Sequence, residues 1–370
     1  MSAIDTVVGI SLFLSSIVAS KFLQSRKIVV TEVWVYPIKS CKGYKVNSAT
    51  TCKRGLKHDR EFLLVDAKGK FISQRNYSKM ALINVQINES NGKVIFLFPY
   101  LYFSFWIDSM TVDAPGMATL TVPLTKCQTN IEVLASVWGQ ECQTIQVLTD
   151  EGNKWFEDYL GAPSVRLVKM KDNFVRRTDE KYAPLGQTSF ADGFPFLLAS
   201  EDSLQYLNQR LPRSITLERF RPNIIVKGAK PFGEDRWTSI RIGLQKAVLN
   251  IVKPCSRCQI PNIDPATGIP DEDNQPTKAM KAFRTGDAIG YDNKKWSGAV
   301  SPLLFNFNTS IVIIVCSCSL VKMWIMRDRR VSSSVLVMRF MCCLVSMLSC
   351  TNTESCIYKP KLLATLYRGI

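Results

Sequence analysis

Two cysteines separated by two residues, Cys255 and Cys258, form the pattern with the most specific chemistry in this sequence. Such a pair can supply half of a structural zinc site, a redox-active dithiol, or a thiolate ligand for a soft metal. A structural zinc site would need a second pair of ligands. Cys41 and Cys52 are eleven positions apart, and His58 is the only histidine, so the sequence does not supply that pair.

The residues around the two cysteines bear on the remaining choices. A redox-active dithiol lies at the start of a helix, and the following segment Gln259–Pro265, with two prolines, does not favour a helix. Arg257 lies between the cysteines and would favour the thiolate form that a metal requires. Ligation of a metal or cofactor is the favoured interpretation. Two buried structural cysteines and a redox pair are the alternatives.

Basic and hydroxyl residues recur at the ends of predicted strands. The segments concerned are Lys39–Ser40, Asp59–Arg60 and Arg221–Pro222–Asn223. Lys and Arg at strand ends bind phosphates or carboxylates. Each segment taken alone is equally explained by a solvated cation or a local salt bridge.

The composition limits the classes of function. A chain of 370 residues is long enough for two domains. Lys and Arg number 47 against 31 Asp and Glu, and this net charge of +16 favours an anionic partner: nucleic acid, a membrane surface or a phosphate-bearing cofactor. A single histidine argues against a Ser-His-Asp triad, a His-rich zinc site and a di-iron site. The twelve cysteines form no disulfide framework, which indicates a reducing compartment.

Both ends of the chain differ from its body. Residues 1–27 hold an apolar run, Thr6–Ser20, followed by basic residues, which predicts a membrane anchor with the body of the chain in the cytosol. Residues 289–370 form a divergent hydrophobic and basic tail without clean strand alternation. The tail is interpreted as translated non-coding sequence, with a membrane hairpin as the alternative. The aromatic segment Phe96–Trp106 is either an extra buried strand or an insertion.

Local patterns between these ends predict a mainly β chain of the α+β class. We expect an N-terminal β domain over residues 28–148 and a second, β-dominated domain over 149–288. The predicted elements are the strands Val29–Tyr36, Val165–Lys169, Ile224–Val226 and Leu249–Val252, a hairpin over Glu61–Gln74, a helix over Asp150–Leu160, and a short helix capped by Ser200 and ended by Pro212.

Six motifs, taken in their order and spacing, carry a resemblance that none of them carries alone. They are Tyr36–Gly43, Gly55–Arg60, Ala114–Met117, Phe220–Ile224, Pro254–Cys258 and Asp264–Gly268. Over residues 28–288 the chain resembles the MOSC domain family, and within it the amidoxime-reducing components. The resemblance implies an N-terminal β-barrel-like domain followed by a MOSC β-barrel with a few helices.

The same resemblance implies a molybdenum cofactor held between the two domains. Cys258 matches the position of the metal ligand and the reacting centre, and Cys255 would be its neighbour. The positions implied to hold the pterin and its phosphate are Lys39, Ser40, Arg60, Arg221, Asn223 and Ser256. A soft dithiolene and a phosphate that needs cations agree with this set of residues.

The implied activity is the two-electron reduction of N-hydroxylated compounds such as amidoximes, hydroxylamines and N-oxides. Electrons would come from NADH through cytochrome b5 reductase and cytochrome b5, and a basic surface suits docking of an acidic haem protein. The implied location is the outer mitochondrial membrane, facing the cytosol, without a nucleic-acid partner. The alternatives are a cofactor-binding or sulfur-carrier module without reductase activity and a non-catalytic membrane protein.

Two departures from the family pattern bear on the site. Gly193 and Phe194 precede Pro195, where the family has small hydroxyl residues. The family also ends in closing strands, which the tail from residue 289 replaces. We therefore expect a second barrel with open edges.

Overall fold

The computed structural model describes residues 28–88, 108–124, 126–242, 248–286 and 288 in full. For residue 247 and for the strands within residues 94–105 and 302–326, the description covers the backbone alone. The predicted anchor over residues 1–27 lies outside the described residues. Within the described part of the chain, no helix is long and apolar enough to cross a bilayer.

The described residues form a mainly β fold, which confirms the predicted fold class. In chain order the strands are β1 (Ile28–Val35), β2 (Tyr44–Val46), β3 (Ser48–Cys52), β4 (Gly55–Leu56), β5 (Phe62–Val65), β6 (Asn84–Asn88), β7 (Val94–Phe98), β8 (Leu101–Phe105), β9 (Ser109–Asp113), β10 (Leu120–Pro123), β11 (Glu132–Val137), β12 (Gln140–Gln146), β13 (Arg166–Met170), β14 (Phe196–Ser200), β15 (Ile224–Lys227), β16 (Ser239–Ile242), β17 (Ala247–Pro254), β18 (Pro302–Asn306), β19 (Val312–Ile314) and β20 (Lys322–Met326). The α-helices among these residues are α1 (Asp150–Leu160), α2 (Glu201–Asn208) and α3 (Thr277–Lys281).

Seven strands close into a ring in the order β1, β15, β14, β18, β17, β16, β20 and back to β1. The β14–β15 pair is parallel, and the other neighbours in the ring are antiparallel. β2 extends the sheet by pairing with the second half of β1. The buried side chains of Val33, Leu198, Ile224 and Ile240 belong to one apolar cluster, because alternate residues of each strand face the same side.

The expectation of an open second barrel is wrong. β18 and β20 lie beyond residue 288, and they pair with β14, β17, β16 and β1 to complete the ring. The sequence did not predict this because closing a sheet needs only backbone N–H and C=O groups, which any extended segment can supply. β1, from the start of the described chain, also belongs to this ring.

The remaining strands, most of them from the first half of the chain, form smaller sheets. Strands β11, β12, β13 and β5 form a four-stranded sheet, and β10, β9 and β6 form a three-stranded one. Strands β19, β3 and β4 form another, and β7 pairs with β8. The backbone of the aromatic segment therefore forms a two-stranded hairpin. The structure does not describe the side chains of this segment.

Several predicted local elements are confirmed. The turn after β5 is held by Asp66, whose Oδ1 accepts hydrogen bonds from the backbone N–H groups of Lys68 and Lys70, both at 2.9 Å. Helix α1 begins after Thr149, whose hydroxyl accepts from the Gly152 N–H, and ends at Gly161 with φ 66°. Helix α2 ends at Asn208, earlier than the predicted stop before Pro212.

A buried carboxyl group lies between helix α2 and the loop after β15. Glu234 is fully buried, its Oε1 accepts a hydrogen bond from the Ser203 hydroxyl at 2.5 Å, and its Oε2 has no partner. Burial raises the pKa of Glu234 to about 7. The neutral carboxyl is thus favoured in the folded state, and its contribution to stability is lost as pH rises from about 4.5 through 7.

We predict that Glu234→Gln stabilises the protein at pH 8, by up to about 3 kcal/mol, and changes little at pH 4. Urea unfolding of both proteins at the two pH values measures this difference. The exposed Glu180→Gln substitution serves as the control and should change stability at neither pH. An equal loss of stability in Glu234→Gln at both pH values would contradict the prediction.

The ring also predicts the effect of shortening the chain. A chain that ends at Met326 keeps every strand of the ring, whereas one that ends at residue 301 lacks β18 and β20. We expect the shorter chain to lose cooperative thermal unfolding, because two gaps expose unpaired edges on four strands. Circular dichroism melts of the two truncated chains and the full chain test this, and identical melts would refute it.

Candidate functional site

The predicted site residues are held by segments that lie far apart in the sequence. Lys39 and Ser40 follow β1, Arg60 follows β4, and Arg221 and Asn223 precede β15. Because β1 pairs directly with β15, the turn after one strand lies beside the loop before the other. The structure therefore brings Arg60, Arg221 and Asn223 into direct contact.

Arg60 is the centre of a buried hydrogen-bond network. Its Nη1 donates to Asp59 Oδ2 at 2.6 Å and to Asn223 Oδ1 at 3.0 Å, and its Nη2 donates to the Arg221 carbonyl at 3.0 Å. Burial raises the pKa of the Asp59 carboxyl, and the Arg60 charge opposes that rise. The guanidinium of Arg60 is thus fixed in position by three acceptors.

Asn223 connects this network to the ring of strands. Its Nδ2 donates to Asp59 Oδ1 at 3.0 Å and to the Trp34 carbonyl at 3.2 Å. Its Oδ1 accepts from Arg60 and, at 3.2 Å, from the Leu197 N–H. One amide side chain therefore ties β1 and β14 to the loop before β15.

Two arginine side chains make cation–π contacts with the ring of Tyr36. The Cζ atoms of Arg60 and Arg221 each lie 4.4 Å from the centroid of the Tyr36 ring, which is 2% exposed. Burial, with the nearby charge of Arg60, lowers the pKa of Arg221 to about 10. Arg221 Nη2 and the Tyr36 hydroxyl are buried without a hydrogen-bond partner. Two cations and an unused donor in one buried place suit an anionic ligand.

The backbone is strained at the same positions. Ser40, His58, Arg60 and Arg221 adopt φ values of 68°, 67°, 50° and 57°, in the left-handed region that favours glycine. Each such residue costs about 1 kcal/mol or more. Strain of this kind concentrates at binding and catalytic sites, where the surrounding packing holds it.

Lys39 forms a second charged group beside this network. Its Nζ donates to the Phe190 carbonyl at 2.8 Å and to Asp192 Oδ1, and the residue is 6% exposed. Burial lowers the pKa of the Lys39 ammonium, and the ion pair with Asp192 opposes that change. Ser40 is also buried, and its carbonyl accepts from Gln74 Nε2 at 2.7 Å.

Arg176 holds the loop that carries the partner of Lys39. Its guanidinium donates to the carbonyls of Ser189, Ala191 and Asp192, and its Nε donates to Gln140 Oε1 at 2.9 Å. The loop before Pro195 is thus fixed through the backbone carbonyls of Ser189, Ala191 and Asp192. Sequence reasoning missed both Arg176 and Asp192.

The Cys-x-x-Cys motif follows β17. Burial raises the pKa of Cys255; the Arg257 charge opposes this rise, and the Asp192 charge adds to it. Cys258 Sγ accepts weakly from the Ile260 N–H at 3.5 Å, and only a short 3-10 helix, Ile260–Asn262, follows. Ser256 is exposed between the cysteines.

Arg257 links the motif to the Arg221 loop. Its Nη1 donates to the Phe220 carbonyl at 3.4 Å, and its Cζ lies 5.2 Å from the Phe220 ring centroid. Its Nε and Nη2 atoms are buried without partners. A cleft opens beside Arg221, and among its lining residues are Trp34, Tyr36, Lys42, Gln74, Arg219 and Arg221.

The fold and this site define the class of the protein. Residues 27–163 match the model of the MOSC N-terminal beta barrel domain, and residues 186–302 match that of the MOSC domain. The chain belongs to the MOSC domain family, which confirms the family predicted from its motifs.

Individual relatives give finer comparisons. Mitochondrial amidoxime-reducing component 1 of Mus musculus is 30% identical over 266 residues, which cover 70% of this chain and 72% of that protein. Molybdenum cofactor sulfurase of Oryza sativa subsp. japonica is 28% identical over 272 residues, which cover 70% of this chain and 31% of that protein. YiiM from Geobacillus stearothermophilus is a solved structure with 16% identity and a TM-score of 0.24, covering 36% of this chain and 55% of that chain.

We predict that Asn223→Ala destabilises the protein by about 3 kcal/mol, because it removes hydrogen bonds from the buried groups of Asp59, Arg60 and Leu197. Urea unfolding measures the loss. Asn84→Ala, at an exposed position of β6, is the control and should cost no more than about 0.5 kcal/mol. Equal effects of the two substitutions would show that the network does not stabilise the fold.

Proposed function

We propose that this chain binds the molybdenum cofactor and reduces N-hydroxylated compounds such as amidoximes, hydroxylamines and N-oxides. The observation that carries the proposal is the pair of guanidinium groups on Tyr36, with buried donors of Arg221 and Tyr36 unpartnered. Buried polar atoms without partners are rare in folded proteins, and two of them beside a pair of cations suit the binding of an anionic group.

The residues present fit this cofactor in both of its parts. A pterin phosphate needs cations and N–H donors, which Arg60, Arg221 and Lys39 supply around strained backbone. A molybdenum dithiolene is soft and takes a thiolate, and Cys258 lies beside the cation of Arg257. Family membership and the names of the relatives support the same cofactor.

In this proposal each predicted site residue has a stated role. Cys258 is the protein ligand of the metal. The residues that hold the pterin and its phosphate are Lys39, Ser40, Arg60, Arg221, Asn223 and Ser256. Among them Asn223 acts through Arg60, whose guanidinium it orients from Oδ1 at 3.0 Å.

The chain's own contribution is binding and orientation. Reducing one N–O bond consumes two electrons and two protons and releases water, and the bound cofactor supplies the site of this two-electron chemistry. Asp59 and Asn223 fix Arg60 in one orientation, and Asp192 and Phe190 fix the Lys39 ammonium. Cations held in this way do not need to reorganise when an anionic group binds.

The proposed electron path runs from NADH through cytochrome b5 reductase to cytochrome b5, which docks on this chain. A net charge of +16 supports docking of an acidic protein. The proposed location is the outer mitochondrial membrane, with the body facing the cytosol and residues 1–27 as the anchor. The mitochondrial relatives support this location.

A second candidate is a cofactor-binding or sulfur-carrier module without reductase activity. The similarity to a molybdenum cofactor sulfurase over 70% of this chain favours it. In that case Cys258 would carry a persulfide instead of a metal. The two candidates therefore differ in what this one sulfur atom binds.

We predict that the full chain, produced with the cofactor supplied, holds about one molybdenum per chain and loses it in Cys258→Ser. The loss is expected because the serine hydroxyl is a hard ligand that stays protonated at neutral pH. Metal analysis measures molybdenum, and benzamidoxime reduction with NADH, cytochrome b5 and its reductase measures activity. Cys255→Ser is the matched control and should keep both.

The outcomes separate the candidates. A folded chain without molybdenum in any variant would overturn the reductase proposal. Persulfide on Cys258 by mass spectrometry, without N-reduction, would favour the second candidate. Equal loss of metal in Cys255→Ser and Cys258→Ser would refute the assignment of Cys258 as the single protein ligand.

A further inference from the structure

An exposed tryptophan, Trp138, lies at the tip of the β11–β12 hairpin. Val137 and Gln140 pair across the hairpin, so Trp138 and Gly139 form a two-residue turn, with φ values of 54° and 79°. Positive φ at both turn positions favours Asn, Asp or Gly, and a bulky aromatic residue there is unfavourable for folding. Trp138 is 52% exposed, so burial does not compensate for this strain.

The indole of Trp138 is nevertheless held in place. Its Nε1 donates to Asp192 Oδ1 at 3.0 Å, the same oxygen that accepts from the Lys39 ammonium. Its ring packs against Phe71, with 5.2 Å between the centroids. The indole therefore lies next to one of the residues proposed to hold the cofactor, at the edge of the site.

A cation covers part of the same ring. The Arg75 Cζ atom lies 4.8 Å from the centroid of the Trp138 ring, in a cation–π contact. Phe71 and Arg75 both contact the indole, yet half of its surface stays open. An aromatic ring that is fixed in orientation and open on one side is a ready stacking surface for another planar ring.

We propose that Trp138 is a specificity-determining residue that stacks on the planar ring of aromatic N-hydroxylated substrates, such as aryl amidoximes. This inference rests on the proposed function and names the substrate class. Stacking holds the ring of such a substrate at the edge of the site, beside the Lys39–Asp192 ion pair. Small aliphatic N-hydroxylated compounds, which lack a ring, gain nothing from Trp138.

The geometry favours a small planar ligand over a second protein. The hydrogen bond to Asp192 and the contact with Phe71 fix the orientation of one ring, which suits a single stacked partner. A protein interface would extend to other exposed apolar residues of this part of the chain, such as Leu134 in β11 at 55% exposure and Ile131, directly before β11, at 52%. This difference provides the control for the test.

The test compares Trp138→Asn, Trp138→Phe and Ile131→Ala in the full chain with cofactor. Asparagine suits the turn and should keep or raise the melting temperature, so a loss of binding cannot be attributed to misfolding. Trp138→Phe keeps a ring and loses only the hydrogen bond. The first readout is benzamidoxime affinity by isothermal titration calorimetry, without NADH. The second is KM and kcat for benzamidoxime and for N-hydroxyurea.

We expect Trp138→Asn to weaken benzamidoxime binding and raise its KM about five- to tenfold, with kcat unchanged. N-hydroxyurea kinetics should not change, and Trp138→Phe and Ile131→Ala should stay within about twofold of the unmodified chain. Unchanged benzamidoxime affinity in Trp138→Asn would overturn the inference, as would an equal loss in Ile131→Ala. If the unmodified chain reduces neither compound, the proposed function fails, and calorimetry still decides whether Trp138 binds the aromatic ring.

Discussion

The Arg60 and Arg221 guanidinium groups both lie 4.4 Å from the centroid of one buried tyrosine ring, that of Tyr36. Two cations removed from water in this way are costly unless acceptors and π faces surround them. Asp59, Asn223 and the Arg221 carbonyl supply those acceptors for Arg60, and Arg221 Nη2 has no hydrogen-bond partner. The surrounding strands must hold this arrangement rigidly, and the closed ring that includes β1 and β15 does so.

Local signals in the sequence predicted the elements that depend on neighbours in the chain. The Asp66 turn and helix α1 with its Thr149 cap follow from side chains within a few positions of the groups they bind. The residues of the site were also available from the family motifs. Their meeting on Tyr36 was not, because it follows from the pairing of β1 with β15.

The groups that brace the site were harder to predict than the groups that line it. Three of the four acceptors of Arg176 are the backbone carbonyls of Ser189, Ala191 and Asp192, and backbone carbonyls have no side-chain signature in the sequence. The role of Asp192 depends on tertiary contacts, since one of its oxygens accepts from both Lys39 and Trp138, which are distant in the sequence. The strands β18 and β20 were missed for a related reason, since their described role in the ring rests on backbone pairing.

The pairing of β1 with β15 also has a consequence for synthesis of the chain. Thr31 and Ile225 lie 194 positions apart and share a hydrogen bond across these strands. At a translation rate of about 5–20 residues per second, the ribosome makes this stretch in roughly 10 to 40 s. During that time one edge of β1 can pair with β2 (Tyr44–Val46), but the edge that will pair with β15 has no partner. The nascent chain thus carries an open strand edge for about half of its synthesis, a period in which a chaperone that covers extended segments would prevent aggregation.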